Sequence, residues 1–277
     1  MFELLPMALA FVFGACVGSF INVVVYRLPA GLSLVKPPSR CPACLTPLKP
    51  KDNIPILGWL IIGGKCRYCR AKVSWRYPLI ELVTGLMFAS VVGQFGQTLS
   101  PVALVGFCLF LGWLLSLALI DLDTMTLPDS LTQSGLIAGL VWHQITAIAG
   151  LGNPILQTAT APFNSLMFTV AGAVLGIWLL DIVRGAGSFW LGVEAMGAGD
   201  PRLASMIGAW LGWERVILTI LLASALGAVA GLGAMALRQL GKGQPLPFGP
   251  FLAVGAALSL FFGRQILQIY LSWFSLS

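Results

Sequence analysis

The sequence has 277 residues, of which 58% are hydrophobic and only 9% are charged. Its mean hydropathy is +0.92. This composition places the chain among the helical proteins that cross a membrane several times, and no soluble second domain is evident. The net charge of +6 reflects a bias of basic residues towards one face of the membrane, so it gives no reason to invoke nucleic acid as a partner.

Uncharged or nearly uncharged runs of membrane-spanning length recur along the chain. We predict an all-α protein with about eight transmembrane helices, in which 1–277 form one polytopic membrane domain. No cleavable signal peptide is evident, because the first residues lack a basic region. The run 202–213 is short for a full span, about 18 Å at 1.5 Å per residue. The predicted runs are 4–26, 79–98, 102–120, 131–150, 163–180, 202–213, 216–237 and 248–270.

The basic residues predict the orientation. Ten of the sixteen Lys and Arg residues lie between Arg27 and Arg76. Because short loops rich in Lys and Arg remain in the cytoplasm, we predict that 28–77 form a cytoplasmic loop inserted between the first two spans. With eight spans, most of the remaining basic residues fall on the same face: Arg184, Arg202, Arg238 and Lys242.

Two Cys-x-x-Cys pairs lie in this loop, Cys41 with Cys44 and Cys66 with Cys69. A separation of about twenty residues between such pairs is typical of a zinc site with four thiolate ligands. Two disulfides are the competing interpretation, but a cytoplasmic loop is kept reduced. A thioredoxin-like redox pair would need a surrounding βαβ pattern, which is missing. We therefore predict one structural zinc ion per chain.

Two acidic residues interrupt the apolar sequence at helix ends. Asp121 ends an uncharged run, and Asp200 follows Gly199 just before a helical run. An ionisable residue at membrane depth marks function by default, and an aspartic protease needs one ionised and one protonated acid. Asp123 points to a different side of the helix from Asp121, so at most one of them faces Asp200. The simplest role of Asp129 is a helix N-cap.

The sequence does not assign a single role to three further features. Glu81, one turn into the second span, could stabilise the helix N-terminus or face the site. The segment 245–250 could be extended backbone at membrane depth or a proline-rich helix start. His143, the one histidine of the chain, is predicted to be a packing or interface residue.

Six motifs, in this order, resemble those of the bacterial type IV prepilin leader peptidases. They are GSFINVVVYRLP, the two cysteine pairs, SWRYPLIE, ALIDLDTMTLPD, MGAGDPRL and PFGPFLA. Those enzymes are GxGD-type membrane aspartic proteases that also N-methylate their product. The resemblance implies that Asp121 and Asp200 are the catalytic acids. One departure is Arg202, where the family usually has lysine, and we expect it to affect positioning more than chemistry.

The resemblance also implies a substrate, a cofactor and a location. The expected substrates are type IV prepilins and type II secretion pseudopilins, which would lose a short basic leader at the cytoplasmic face of the bacterial inner membrane. S-adenosylmethionine is the expected methyl donor, and the sequence identifies no residue that binds it. Two other classes compete with this interpretation: a transporter or channel with an acidic relay, and a zinc-dependent assembly factor. Both acids lie at one membrane face rather than at the midplane, which argues against a transport path.

Overall fold

The computed structural model describes residues 4–151, 162–192, 196–237 and 246–274. Arg238 and Lys242, which contribute to the predicted orientation, lie outside these residues. Within them no β-strand forms, which confirms the all-α prediction. A short 3₁₀ helix, Pro50–Asn53, precedes α2. The α-helices are α1 Leu4–Arg27, α2 Leu57–Ile61, α3 Arg76–Phe95, α4 Pro101–Thr124, α5 Asp129–Ile148, α6 Pro162–Leu191, α7 Asp200–Ala236 and α8 Gly249–Phe274.

Six helices of the described part are long and apolar enough to cross a membrane: α1, α3, α4, α6, α7 and α8. Helix α5 has 20 residues but is not among them, because polar residues such as Thr132 and Gln133 interrupt its apolar sequence. The count of eight spans therefore stays a prediction.

The predicted runs 202–213 and 216–237 lie in one element, α7, which contains a sharp break. Gly212 has φ 79° and ψ 176°, outside helical geometry. A side chain there would need the same rare backbone conformation, and its Cβ would overlap the ring of Phe168. Glycine is thus required at the break, which divides α7 into a first segment that is buried except for Arg202 and a longer second one.

His143 supports the backbone at this break. Its Nε2 donates a hydrogen bond to the carbonyl oxygen of Trp210, 2.9 Å away and two residues before Gly212. The indole Nε1 of Trp210 in turn donates to the carbonyl of Gly135 at 2.8 Å. Both His143 and Trp210 are fully buried. A break in a helix leaves carbonyl groups without their regular partners, and here a side chain of α5 supplies one donor.

The chain forms two compact units, Met1–Ser116 and Leu117–Ser277. In the first unit, α1 packs closely on α3, where a Cβ at Gly18 would lie only 2.8 Å from the Cα of Glu81. In the second unit, α6 and α7 approach so closely that a Cβ at Gly172 would overlap the backbone of Gly208. Small residues permit such approaches between membrane helices. The single domain 1–277 with an inserted loop 28–77 stays a prediction.

We expect His143→Ala to destabilise the second unit. The substitution leaves the Trp210 carbonyl buried without this donor, which costs about 1–3 kcal/mol. Thermal unfolding of the purified chain in detergent should show a lower midpoint. Ile145→Ala, on an exposed position of the same helix, is the matched control and should change the midpoint much less. An unchanged midpoint for His143→Ala would contradict the role given to this hydrogen bond.

Candidate functional site

The four loop cysteines meet in the first unit. The sulfur atoms of Cys41, Cys44, Cys66 and Cys69 all lie within 4.8 Å of one another. The closest approaches join the two pairs: Sγ of Cys41 is 3.7 Å from Sγ of Cys69, and Sγ of Cys44 is 4.0 Å from Sγ of Cys66. All four thiols are free, so the alternative of two disulfides is not what the structure adopts.

These distances fit a tetrahedral zinc ion. Zinc–sulfur bonds of about 2.3 Å place neighbouring sulfurs about 3.8 Å apart. Zinc binds thiolates rather than thiols. The surroundings favour the thiolate at two positions, whereas burial and the other cysteines raise the pKa of Cys69 to about 11. Hydrogen bonding with Thr46 lowers the pKa of Cys44 to about 6. The backbone at Cys69 and Tyr68 lowers the pKa of Cys66.

The two cysteine turns repeat one backbone pattern. In the first, the amide of Cys41 bonds to the carbonyl of Thr46, and the amide of Leu45 bonds back to Cys41. In the second, Cys66 bonds to Ala71 and Arg70 bonds back to Cys66 in the same way. Leu45 and Arg70 have matching positive φ values of 57° and 63°. Two equivalent turns therefore present their sulfurs to one shared point.

Arg67 ties the second cysteine turn to the 3₁₀ helix. Its Nε lies 3.0 Å from Oδ2 of Asp52, and its Nη2 lies 2.5 Å from Oδ1. This two-pronged pair holds the pKa of Asp52 below its usual value. Asp52 is buried, and a buried acid is stable when it is paired in this way. This pair was not predicted from the sequence, although Asp52 is the one acid of loop 28–77.

Glu81 fastens the loop to α3. The backbone amide of Ile56 donates to Oε2 of Glu81 at 2.6 Å, and Ser19 of α1 is a second hydrogen-bonding partner. Glu81 is buried. Neither role considered from the sequence describes this contact, because the acid receives a donor from loop 28–77, called the cysteine loop below.

Asp121 and Asp200 come together in the second unit. Asp121 lies in the last turn of α4, and Asp200 is the first residue of α7. Each has only 5% of its surface exposed, and their carboxyl groups lie within electrostatic range of one another. Two acids distant in sequence, each from a helix end, thus share one poorly solvated place.

The N-terminus of α8 supplies a hydrogen bond to Asp121. The amide of Gly249 donates to Oδ2 of Asp121 at 2.9 Å. A Cβ at Gly249 would lie 2.7 Å from that oxygen, so any larger residue would displace the carboxyl group. The segment 246–248 is irregular and α8 begins at Gly249. This contact was not predicted from the sequence, although Gly249 lies in the motif PFGPFLA.

Glycines also shape the turn before Asp200. A Cβ at Gly199 would lie 2.8 Å from the Cβ of Leu127, so the turn packs directly on the segment that follows α4. The backbone of Gly197 hydrogen-bonds to the carboxyl group of Asp200. The two glycines on either side of Ala198 therefore have separate uses.

The other acids remain outside this pair. Asp123 is exposed. Asp129 is not an N-cap: α5 has Pro128 in that position and no side-chain cap. Asp129 forms an ion pair with Arg202 instead, and the pair joins the first residue of α5 to the start of α7. Arg202, the basic partner in this ion pair, is the residue that stands where lysine was expected.

Comparisons with known proteins show the family of this chain. Residues 12–95 match the model of the bacterial peptidase A24 N-terminal domain, and residues 108–232 match the model of the type IV leader peptidase family. The chain is 36% identical to a prepilin leader peptidase/N-methyltransferase of Aeromonas hydrophila, over 96% of this chain and 94% of that protein.

The chain belongs to the type IV leader peptidase family. Relatives with the same description are found in Pseudomonas aeruginosa, at 38% identity over 94% of this chain and 91% of that protein, and in Burkholderia pseudomallei, at 37% identity over 94% and 86%. No solved structure matches the chain. Membership of the type IV leader peptidase family confirms the resemblance inferred from the six motifs.

Proposed function

We propose that this chain is a membrane aspartic endopeptidase that removes the leader from type IV prepilins and type II secretion pseudopilins and then methylates the new N-terminus. The observation that carries the proposal is the pair of buried carboxyl groups, Asp121 and Asp200. The type IV leader peptidase match and the relatives described as prepilin leader peptidase/N-methyltransferase support the substrate and both activities.

The two carboxyl groups have different roles in peptide hydrolysis. The ionised member of the pair takes a proton from a water molecule, whose oxygen attacks the scissile carbonyl carbon. The protonated member donates its proton to the carbonyl oxygen, and the tetrahedral intermediate then expels the amine as a proton returns to nitrogen. Because the carboxyls interact, the pair titrates as a unit, and we assign the shared proton to neither residue.

The membrane arrangement suits a substrate with a basic leader and an apolar helix. We place both acids and the cysteine loop at the cytoplasmic face of the bacterial inner membrane, following the distribution of Lys and Arg. The exposed acids Asp123 and Asp181 lie on that face in this orientation. They would attract a basic leader, while the apolar segment of the prepilin remains in the bilayer.

We expect Asp121→Asn and Asp200→Asn each to abolish leader cleavage. An amide neither accepts a proton from water nor shares one with the remaining acid, and loss of one essential general acid or base costs about 10²–10⁴-fold. The measurement is shortening of a prepilin in membranes that contain each variant at matched levels.

Asp123→Asn is the matched control, because Asp123 lies two residues from Asp121 and is exposed. It should retain the cleavage step, and any loss should be confined to the attraction of the basic leader. If Asp123→Asn is inactive while Asp121→Asn cuts, the assignment of the acids is wrong. If all three variants cut normally, the aspartic protease mechanism is excluded.

We expect Gly249→Ala to lower the cleavage rate by about 100-fold, because a misplacement of about 1 Å costs that much and the added Cβ would push against Oδ2 of Asp121. Gly231→Ala is the control, since a Cβ there meets no atom within 4 Å. The effect should appear in the cleavage step with substrate binding largely kept. Equal rates for the two variants would show that α8 does not position Asp121.

For the metal, we propose one structural zinc ion held by Cys41, Cys44, Cys66 and Cys69. The support is the sulfur geometry described above. Four thiolates occupy all four coordination positions of a tetrahedral zinc ion, so none is left for a reacting water. The ion would hold the two cysteine turns together and would take no part in hydrolysis.

We expect metal analysis of the purified chain to give about one zinc per molecule and Cys66→Ser to lose it, because three thiolates bind zinc far less tightly than four. Cys16→Ser, which lies outside the cluster, should keep the metal. Zinc retained in full by Cys66→Ser, or absent from the unaltered chain with its thiols free, would refute the site.

S-adenosylmethionine is the proposed methyl donor for the N-methyltransferase activity that the relatives' descriptions name. The described residues contain no strand followed by a glycine-rich turn and a helix, the usual unit for such a nucleoside. They do not supply a recognisable fit for this group, so we assign it no binding residues and derive no step through it.

A further inference from the structure

Helix α2 presents an apolar face to the outside of the cysteine loop. Leu57, Leu60 and Ile61 are spaced by three and four residues, so they share one side of the helix. They are 56%, 59% and 65% exposed, respectively. Ile54, just before the helix, is 45% exposed. Four large aliphatic side chains together on the surface of a loop indicate contact with something apolar.

The opposite side of α2 fixes which way this face points. The indole Nε1 of Trp59 donates to the carbonyl of Val73 at 3.0 Å. Gly58 packs against the backbone of Asp52, where a Cβ would lie 2.8 Å from the carbonyl carbon. Trp59 and Gly58 therefore hold α2 to the rest of the loop. The apolar face cannot turn inwards without breaking both contacts.

The contact with Glu81 sets the depth of α2. Ile56, immediately before α2, donates to Glu81 at 2.6 Å, and α3 is one of the candidate membrane spans. Glu81 is five residues beyond Arg76, where α3 begins. At 1.5 Å per residue, this is about 7.5 Å along the span. Helix α2 thus starts beside the first turns of a candidate membrane span, the part of such a helix that is expected at the bilayer interface.

Basic residues lie at the 3₁₀ helix that precedes α2. Lys49 and Lys51 are exposed and act electrostatically on Asp52 of the 3₁₀ helix, which lies next to α2. The segment 28–76 contains nine Lys and Arg residues, and Asp52 is its one acidic residue. Cations beside an apolar helix face are typical of elements that lie in the interface of a membrane with anionic lipids.

We propose that α2 is an interfacial membrane element of the cysteine loop. The face formed by Leu57, Leu60 and Ile61 lies at the boundary between lipid headgroups and acyl chains. Lys49 and Lys51 contact the phosphates of anionic lipids. The loop is thereby held flat against the bilayer. This proposal concerns the loop alone and does not depend on the proteolytic activity.

The test uses the full chain in nanodiscs with photoreactive benzoylphenylalanine at Leu60 or Ile61. Leu45, which is 58% exposed on the first cysteine turn, is the matched control position. In nanodiscs that contain phosphatidylglycerol, we expect lipid adducts at Leu60 and Ile61 several-fold above those at Leu45. The double variant Lys49→Gln with Lys51→Gln should lower the adduct yield in anionic nanodiscs but not in nanodiscs of phosphatidylcholine alone.

Two further measurements keep the result interpretable. Zinc content of each labelled chain shows whether the loop is intact. Hydroxyl-radical footprinting of the unaltered chain should oxidise Leu60 and Ile61 less than Leu45. Equal oxidation, or absence of lipid adducts in chains that retain zinc, overturns the proposal. A protein adduct at Leu60 in native membranes, in place of lipid adducts, also overturns it and assigns the face to a protein partner.

Discussion

The burial of two carboxyl groups is the constraint on which the second unit depends. A carboxylate removed from water is unstable unless hydrogen bonds replace its hydration. Helix N-termini offer unused backbone amides for this purpose. Asp121 receives the amide of Gly249 at the start of α8, and Asp200 stands at the start of α7 with Gly197 as a backbone partner. The two helix starts therefore make the acidic pair possible.

This arrangement requires backbone to approach backbone and side chain very closely, and glycine is the residue that permits it. Gly249 lies against the carboxyl of Asp121, and Gly199 lies against Leu127. The break at Gly212 is a third case. It leaves the carbonyl of Trp210 without its regular helical partner, and His143 donates a hydrogen bond to that carbonyl. At Gly249 and near Gly212, a polar group buried by close packing thus finds its hydrogen-bond partner on another helix.

Local pattern explains what could be predicted from the sequence. Helical class follows from long apolar runs, and the cysteine cluster follows from the spacing of Cys41, Cys44, Cys66 and Cys69. The hydrogen bond from Gly249 to Asp121 joins residues 128 positions apart, and no local pattern encodes it. The Arg67–Asp52 pair depended in the same way on how the loop folds. Asp129 was mistaken for an N-cap because its ion-pair partner, Arg202, comes from another helix.

The cysteine loop shows how a segment without a large apolar core obtains one conformation. Such a segment needs cross-links, because it buries too little surface to offset the entropy of ordering. Three successive contacts connect this loop from the cysteine turns to α3. The sulfurs join the two cysteine turns, Arg67 joins the second turn to Asp52, and Ile56 joins the adjoining helix to Glu81 of α3. Because the series ends on α3, the contacts that order the cysteine turns also fix where α2 lies relative to that helix. The aliphatic side chains of α2 are left exposed rather than packed in a core.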